Sequence, residues 1–261
     1  MEVLSVVHPF LKVGNNIKIL SIPSVLYNNK SMKQKAATGL ITQNKETYNA
    51  FAKEFSASRD KFWEELSFLA EHAVPDDHVL DIGCGNGRLA PLILERHATY
   101  TGVDNSAGLI TEAKRLNPHI TFMEGDALAL PFADDMFDIA YSFAVLHHIP
   151  SQELREQFVK EAARVLHPGG TLIVSVWDLW SRKFIDKLIL HAFLGIIGVS
   201  SLDVGDIMLT FGKKKLPRYL HAFTMKELER LLTKNGFAVT GIDIVEMQSG
   251  QRNIVAVCKK K

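Results

Sequence analysis

Residues 78–87 read HVLDIGCGNG, and this stretch decides the fold. Its first half is a short apolar run, typical of a buried parallel strand. Its second half holds three glycines at alternate positions, Gly83, Gly85 and Gly87, and a helical pattern follows over residues 88–96. A strand that ends in such a turn before a helix presents backbone N–H groups to a ligand. The dinucleotide fingerprint G-x-G-x-x-G does not fit, because D-x-G-x-G-x-G has no slot for its third glycine.

A second short strand, residues 100–104, ends in Asp104. Sites that bind nucleotides in α/β folds place a carboxylate for the ribose hydroxyls about 20 residues after the glycine loop. The alternative is that Asp104 caps the next helix. We assign the ribose role to Asp104 and the cap to Ser106.

Strand-like and helical segments alternate from residue 78 to residue 177. This alternation predicts right-handed crossovers, and therefore an α/β fold with a parallel sheet and helices on both faces. Ligands bind beyond the carboxyl ends of such strands. Asp126 and Phe143 fall at those ends together with the glycine loop and Asp104, so all are expected at one site.

These motifs, in this order and spacing, resemble the class I S-adenosylmethionine (SAM) methyltransferases. In that family the turn that corresponds to Asp126-Ala127 holds the adenine, with the acidic side chain on its exocyclic amine. The resemblance implies SAM as cofactor and a doubly wound, mostly parallel seven-stranded sheet with an antiparallel C-terminal strand pair. The cofactor-binding residues expected are Tyr48, Arg59, Asp81, Gly83, Cys84, Gly85, Gly87, Asp104, Asn105, Asp126, Ala127, Phe143 and Ala144.

Aromatic and apolar side chains recur at helical spacing over residues 45–72. In class I enzymes the helix before the first strand closes over the cofactor, which makes Tyr48 and Arg59 candidates for the methionine end, although aromatic residues at this spacing more often belong to a core. We expect an N-terminal extension over 1–44, with translation starting at Met32, and a methyltransferase domain over 45–261. Residues 178–222 interrupt the alternation and form an insert positioned to cover the site.

Composition and charge indicate which kinds of site, location and partner to expect. The 261 residues include two cysteines, Cys84 and Cys258, and the histidines have no ligand spacing, so we expect neither a disulfide framework nor a metal site. We see no signal peptide and no apolar run of about 20 residues, so the cytoplasm is the expected location.

Lys and Arg outnumber Asp and Glu by 5 to 1 over 1–40 and 14 to 7 over 181–261, whereas residues 41–180 hold 11 against 21. Basic ends fit a polyanion such as RNA, and equally a lopsided solvated surface.

Two further blocks point to a subfamily. Residues 48–63 follow Y-N-x-x-A-x-x-F-S-x-x-R-x-x-x-W, and residues 218–229 begin R-Y-L-H. Both resemble the tRNA methyltransferases that esterify 5-carboxymethyluridine at the wobble position, although Leu220 stands where that group usually has a second tyrosine. The resemblance implies tRNA as substrate, and eukaryotic members act with a small activator protein.

A carboxylate acceptor needs no dedicated base, since it is already an anion at neutral pH. We expect His148, Arg218 and Tyr219 to hold it, with His147 packing inward, and the basic segment 213–218 to favour RNA. Two other functions stay open. One is a SAM methyltransferase for a small molecule or lipid precursor, because the apolar segment 188–199 could line a greasy pocket. The other is a non-catalytic protein with this fold acting as a partner subunit.

Overall fold

The computed structural model describes residue 32 and residues 34–59, 61–181, 183–197, 200–212 and 215–261. Its helices are α1 (Gln34–Ala57), α2 (Ala90–Leu94), α3 (Ala107–Leu116), α4 (Gln152–Val165), α5 (Ile185–Ile196) and α6 (Met225–Lys234). Its strands are β1 (His78–Ile82), β2 (Thr99–Asp104), β3 (Thr121–Glu124), β4 (Phe137–Phe143), β5 (Leu166–Trp177), β6 (Asp206–Phe211), β7 (Leu216–His221), β8 (Phe237–Glu246) and β9 (Arg252–Lys260). Glu64–His72 and Leu146–His148 form 3-10 helices.

Seven strands form one sheet in the order β3-β2-β1-β4-β5-β9-β8. The first five pair in parallel, and β9 runs antiparallel to both β5 and β8. β1 is the middle one of the five parallel strands, and its carboxyl end lies beside those of β2 and β4. The predicted doubly wound sheet with an antiparallel C-terminal strand pair is confirmed.

Neighbouring residues of β1 pack into different hydrophobic clusters on the two faces of the sheet. Leu80 joins the cluster that contains Phe158 of α4 and Leu232 of α6. Val79 joins the cluster that contains Ile93 of α2 and Ile110 of α3. Because successive strand side chains point to opposite faces, a strand covered on both sides needs adjacent apolar residues, as Val79 and Leu80 are in β1.

The folded unit begins earlier than the sequence predicts. Met32–Lys261 forms one compact unit, and α1 runs straight through the expected boundary between residues 44 and 45. Residues 34–44 therefore belong to the domain rather than to an extension. Periodicity missed them because the buried residues of this segment, Ala37 and Asn44, are small or polar. Residues 1–31, which precede the proposed start at Met32, lie outside the described residues.

The insert 178–222 holds α5 and a separate two-stranded antiparallel sheet, β6–β7. Its own core includes Leu188 of α5, Ile207 of β6 and Leu220 of β7. The sequence predicts the apolar helix but not this hairpin. Arg218 lies on its second strand, β7. Lys213 and Lys214 of the predicted basic segment lie outside the described residues.

No helix in the described part of the chain has the length and apolarity that crossing a membrane requires. Within the same residues, no three His, Cys, Asp or Glu side chains are grouped so that they could hold a metal ion.

Candidate active site

A cavity opens beyond the carboxyl ends of β1, β2 and β4, and α1 covers it. Most predicted site residues line its wall. They are Tyr48, Arg59, Asp81, Gly83, Cys84, Gly85, Asp104, Asn105, Asp126, Ala127, Phe143, Ala144, His148 and Arg218.

The glycine turn after β1 is shaped by backbone conformations that other residues rarely adopt. Gly83 and Gly85 have φ of 77° and 59°. A Cβ on Gly83 would collide with Val145, so this position tolerates no side chain. In front of Gly85 the nearest atom is Cε1 of Phe55, 3.8 Å from an ideal Cβ, which leaves its backbone open to a ligand.

Gly87, predicted to contact the cofactor, is not among the residues that line the cavity. Its φ is 76°, and a Cβ would stand 2.5 Å from Cζ of Phe122. The third glycine therefore serves the close packing of the turn against β3.

Asp104 holds the turn and the next helix together. Its Oδ2 accepts a hydrogen bond from the Gly85 N–H at 2.9 Å, and its Oδ1 accepts one from the Ser106 N–H at 2.8 Å. The Ser106 hydroxyl caps α3 by accepting from the Leu109 N–H, as predicted. Burial raises the pKa of Asp104. Each carboxylate oxygen keeps capacity for a second donor, which is what a ribose hydroxyl offers.

Asp126 lies at the other end of the wall, in the turn after β3. Its Oδ1 accepts from the Leu128 N–H at 2.9 Å, which fixes the carboxylate on the cavity side with Ala127 and Asn105. The second oxygen is placed to accept from an amine, the function expected for this residue.

Where β1 ends, the carboxyl group of Asp81 and the guanidinium group of Arg88 lie near each other on the cavity wall. The Tyr100 hydroxyl donates to Asp81 Oδ2 at 2.6 Å, and burial raises the pKa of Asp81 to about 7. Burial lowers the pKa of Arg88 to about 9, and its guanidinium carbon lies 3.5 Å from the centre of the Trp63 ring.

Arg59 lies two residues beyond the end of α1, and its side chain reaches the same part of the cavity. Its guanidinium carbon lies 4.4 Å from the centre of the Phe55 ring. The Asn86 side chain donates to the Arg59 carbonyl at 2.8 Å and so ties the glycine turn to α1. Burial lowers the pKa of Arg59. With Arg88 it makes this end a site for an anion beside the acid Asp81.

Arg218 projects from β7 into the cavity beside two aromatic rings, and one of them, Phe211, also lies 5.7 Å from the guanidinium carbon of Arg59. The guanidinium carbon of Arg218 lies 4.7 Å from the Trp177 ring centre and 4.3 Å from that of Phe211. Its Nη1 lies 3.4 Å from the Tyr48 hydroxyl oxygen, and its buried Nε has no hydrogen-bond partner in the described part of the chain. The two rings cover part of the guanidinium, and its Nε–H is left for a ligand.

His148 is fixed on both sides of its ring. Its Nδ1 lies 3.1 Å from the Tyr219 carbonyl oxygen, which can only accept, so Nδ1 carries the proton. Its Nε2 then accepts from the Tyr48 hydroxyl at 2.9 Å. Burial, followed by the positive charge of Arg218, lowers the pKa of His148 to about 3. As predicted, His148 lies on the cavity wall and His147 packs inside the protein.

The predicted role of Tyr219 in holding substrate is wrong. Strand residues alternate between faces, so Tyr219 points away from the face that carries Arg218. Its ring is fully buried with Ala37 of α1, and its hydroxyl donates to Asp206 at 2.7 Å. Its backbone, rather than its side chain, serves the site.

Several cavity residues escape prediction from the sequence. Arg88 follows the last loop glycine and Trp177 ends β5 at the ligand edge, so position alone could have indicated both. Asn44 carries no such signal, because the pairing of α1 with the insert hairpin brings it to the site.

Comparison with known proteins decides the family. A family model described as a methyltransferase domain matches residues 80–174. A protein of Encephalitozoon cuniculi named as a methyltransferase is 33% identical over 196 residues, which are 74% of this chain and 85% of that protein. This chain is a SAM-dependent methyltransferase.

Other relatives of the methyltransferase have more specific names. A tRNA (carboxymethyluridine(34)-5-O)-methyltransferase of Saccharomyces cerevisiae is 33% identical over 132 residues, 51% of this chain and 47% of that protein. The enzyme of the same name from Arabidopsis thaliana is 33% identical over 130 residues, 50% of this chain and 31% of that protein. The match thus spans less than half of each of these two relatives.

Solved structures agree on the fold of the methyltransferase. A SAM-dependent methyltransferase of Methanosarcina mazei has a TM-score of 0.64 at 24% identity, covering 77% of this chain and 98% of that one. A complex of the Haloferax volcanii Trm112 activator with a methyltransferase gives a TM-score of 0.60 at 17% identity, covering 82% of this chain and 96% of the matched one.

The cavity of the methyltransferase fits SAM. The cofactor supplies an electrophilic methyl group on a positively charged sulfur. We assign Asp104 to its ribose hydroxyls and Asp126 to its adenine amine. Gly85 leaves room for the chain of the ligand, and Arg59 with Arg88 offers cations to its carboxylate.

Proposed function

We propose that this enzyme transfers the SAM methyl group to the carboxylate of 5-carboxymethyluridine at the wobble position of tRNA. The observation that supports it is Arg218, a guanidinium that is only 5% exposed. None of the ion pairs among the described residues includes it. A buried charge without a partner is costly, so a site that keeps one favours an anionic ligand.

The chemistry makes modest demands on the protein. The carboxylate of the acceptor has a pKa of about 4 and is already ionised at neutral pH. One of its oxygens bonds to the methyl carbon while the bond from that carbon to sulfur breaks, and no proton moves. Positioning alone can contribute about 7–11 kcal/mol to such a step. The edge of Arg218 holds the carboxylate, and the rings of Trp177 and Phe211 fix that edge in place.

His148 cannot act as a base in this arrangement. Its Nδ1 hydrogen is bound by a carbonyl oxygen, and its Nε2 is occupied by the Tyr48 hydroxyl. A methyl transfer that needs deprotonation of the acceptor would have to break one of these bonds. An acceptor that arrives as an anion fits better, and the names of the relatives in yeast and Arabidopsis favour the same one.

The experiment compares two tRNAs that differ at one functional group. One carries 5-carboxymethyluridine at the wobble position, and the other carries the corresponding neutral carbamoylmethyl group. We expect methyl transfer to the carboxylate and none to the amide, because Arg218 selects an anion. Equal transfer to both would reject the proposal.

The assay is run with and without a Trm112-type activator. The methyltransferase of one similar solved structure is in complex with this activator, and this is the support for including it here. We expect the activator to increase transfer without changing which tRNA is used.

A small-molecule acceptor is the second candidate. A demethylmenaquinone methyltransferase of Beutenbergia cavernae is 33% identical over 121 residues, 46% of this chain. In addition, α5 exposes Leu190 and Phe193 at 53% and 41%. Incubation with labelled SAM and a cell extract separates the two candidates, since label in the organic phase instead of in tRNA would favour the small molecule.

A further inference from the structure

Asn44 of α1 makes an unusual set of contacts with the hairpin strand β7. Asn44 is buried, with only 5% of its surface exposed. Its Oδ1 accepts from the Tyr219 N–H at 2.9 Å, and its Nδ2 donates to the Tyr219 carbonyl at 3.2 Å. The same Nδ2 lies 3.4 Å from the His148 carbonyl oxygen. One amide thus joins α1, β7 and the 3-10 helix after β4.

These bonds use the edge of β7 on which the described residues place no strand. β6 pairs along its other edge. On the open edge, the Thr47 hydroxyl donates to the Pro217 carbonyl at 2.9 Å, while Asn44 pairs with Tyr219. Side chains of α1 therefore replace the missing strand and satisfy backbone groups that would otherwise be buried without partners.

The two anchors enclose Arg218. Pro217 and Tyr219 are its neighbours along β7, so the backbone on both sides of Arg218 is tied to α1. Tyr48, which follows Thr47 on the same helix, is thereby held beside the Arg218 guanidinium. The Tyr219 carbonyl that accepts from Asn44 also accepts from His148 Nδ1.

We propose that Asn44 is a positioning residue that holds the Tyr219 peptide and, through it, the arrangement of Tyr48, His148 and Arg218. The inference rests on the proposed function in one respect, that Arg218 holds the acceptor. Its immediate consequence is structural, because the peptide fixes both the tautomer of His148 and the position of Arg218. Asp104 and Asp126, the carboxylates assigned to the cofactor, have none of their hydrogen bonds with Asn44, so we expect its replacement to leave cofactor binding largely unchanged.

The test compares Asn44→Ala with Asn49→Ala. Asn49 is the matched control, since it lies on the same helix and its Oδ1 accepts from the Ser106 hydroxyl at 2.7 Å and the Gly108 N–H at 3.1 Å. For Asn44→Ala we expect amide exchange at Tyr219 to be at least about tenfold faster. We also expect the NMR signal of the His148 Nδ1 hydrogen to be lost. Asn49→Ala should preserve both.

In the same variants, Asn44→Ala should keep the Kd for SAM within about twofold and lower kcat/KM for the acceptor at least about tenfold. Unchanged exchange at Tyr219, or faster exchange with an unchanged kcat/KM, would overturn the inference. A wild-type enzyme inactive on tRNA would reject the proposed function alone. The exchange and NMR measurements need no acceptor and would still decide whether Asn44 holds the peptide.

Discussion

The hydroxyl oxygen of Tyr48 lies 2.9 Å from Nε2 of His148. Tyr48 lies on α1 and His148 on the 3-10 helix that follows β4. In the sequence, strands β1 to β4 lie between these two elements. Because the histidine hydrogen is on Nδ1, the tyrosine donates and keeps its oxygen lone pairs for Arg218. His148 is therefore an acceptor that orients Tyr48.

This role predicts how the enzyme responds to pH. The pKa of His148 is about 3 in the folded protein, below the ordinary value of 6.5, so the ring is neutral in the folded state at any pH near neutrality. We expect kcat to show no break near pH 6.5. A bell-shaped profile with an acidic limb at that pH would contradict the assignment.

The same shift affects stability. Between pH 6.5 and 3 the unfolded state binds the His148 proton and the folded state does not, so falling pH lowers the free energy of unfolding. At pH 5 the effect of this one group is at most about 2 kcal/mol. Urea unfolding at pH 7 and pH 5 should show a smaller loss for His148→Phe than for the wild type. Equal losses would show that His148 titrates normally.

Arg218 should be required for transfer and not for cofactor binding. We expect Arg218→Ala and Arg218→Lys to lower kcat/KM for the acceptor by about 100-fold or more, because lysine lacks the planar edge that binds a carboxylate. Calorimetry should give a Kd for SAM close to that of the wild type. Tyr219→Phe is the control on the same strand. It should reduce stability through the lost bond to Asp206 and leave the KM for the acceptor nearly unchanged.

Asp104→Asn should weaken SAM binding by about tenfold or more, since a hydrogen bond to a charged group is worth about 1.5–3 kcal/mol. The control is Asp134→Asn, the same change at a carboxylate that is 72% exposed, pairs with Arg164 and does not line the cavity. Equal affinities for SAM in the wild type and Asp104→Asn would remove Asp104 from the ribose site.

SAM binding should depend on pH through Asp81. The pKa of Asp81 is about 7 because of burial, so much of this group is protonated at pH 6. A cationic ligand in the same cavity favours the charged carboxylate, and binding at pH 6 should release a proton. Calorimetry at pH 6 in two buffers with different ionisation enthalpies measures that proton. We expect affinity to increase as the pH rises through 7 and Asp81→Asn to lose most of this dependence, whereas a pH-independent wild type would refute it.

The sequence predicts the sheet, and it predicts that the glycine turn and the acids after the strands lie on one cavity, because these features are local. Strand, glycine turn and following acid lie in one continuous stretch, and the parallel fold places each acid at the same edge. Gly87 shows the limit, since spacing alone does not tell a glycine that faces the ligand from one packed against Phe122.

The acceptor end of the cavity is harder to predict because it depends on contacts between distant segments. Arg218 and Tyr219 are adjacent in sequence, and only the orientation of β7 decides which of them faces the cavity. Asn44 reads as a polar residue in a weakly patterned segment, yet it is nearly buried because it pairs with the edge of β7. The hydrophobic periodicity of the sequence shows neither the orientation of β7 nor the burial of Asn44.

The most direct test is transfer of tritiated methyl from SAM to tRNA that bears 5-carboxymethyluridine, followed by a mild alkaline wash. We expect label to appear in the tRNA and to be released by the wash, because a methyl ester is hydrolysed by base. Label that resists the wash would mean methylation on nitrogen or carbon and would contradict the central claim that Arg218 presents a carboxylate to the cofactor.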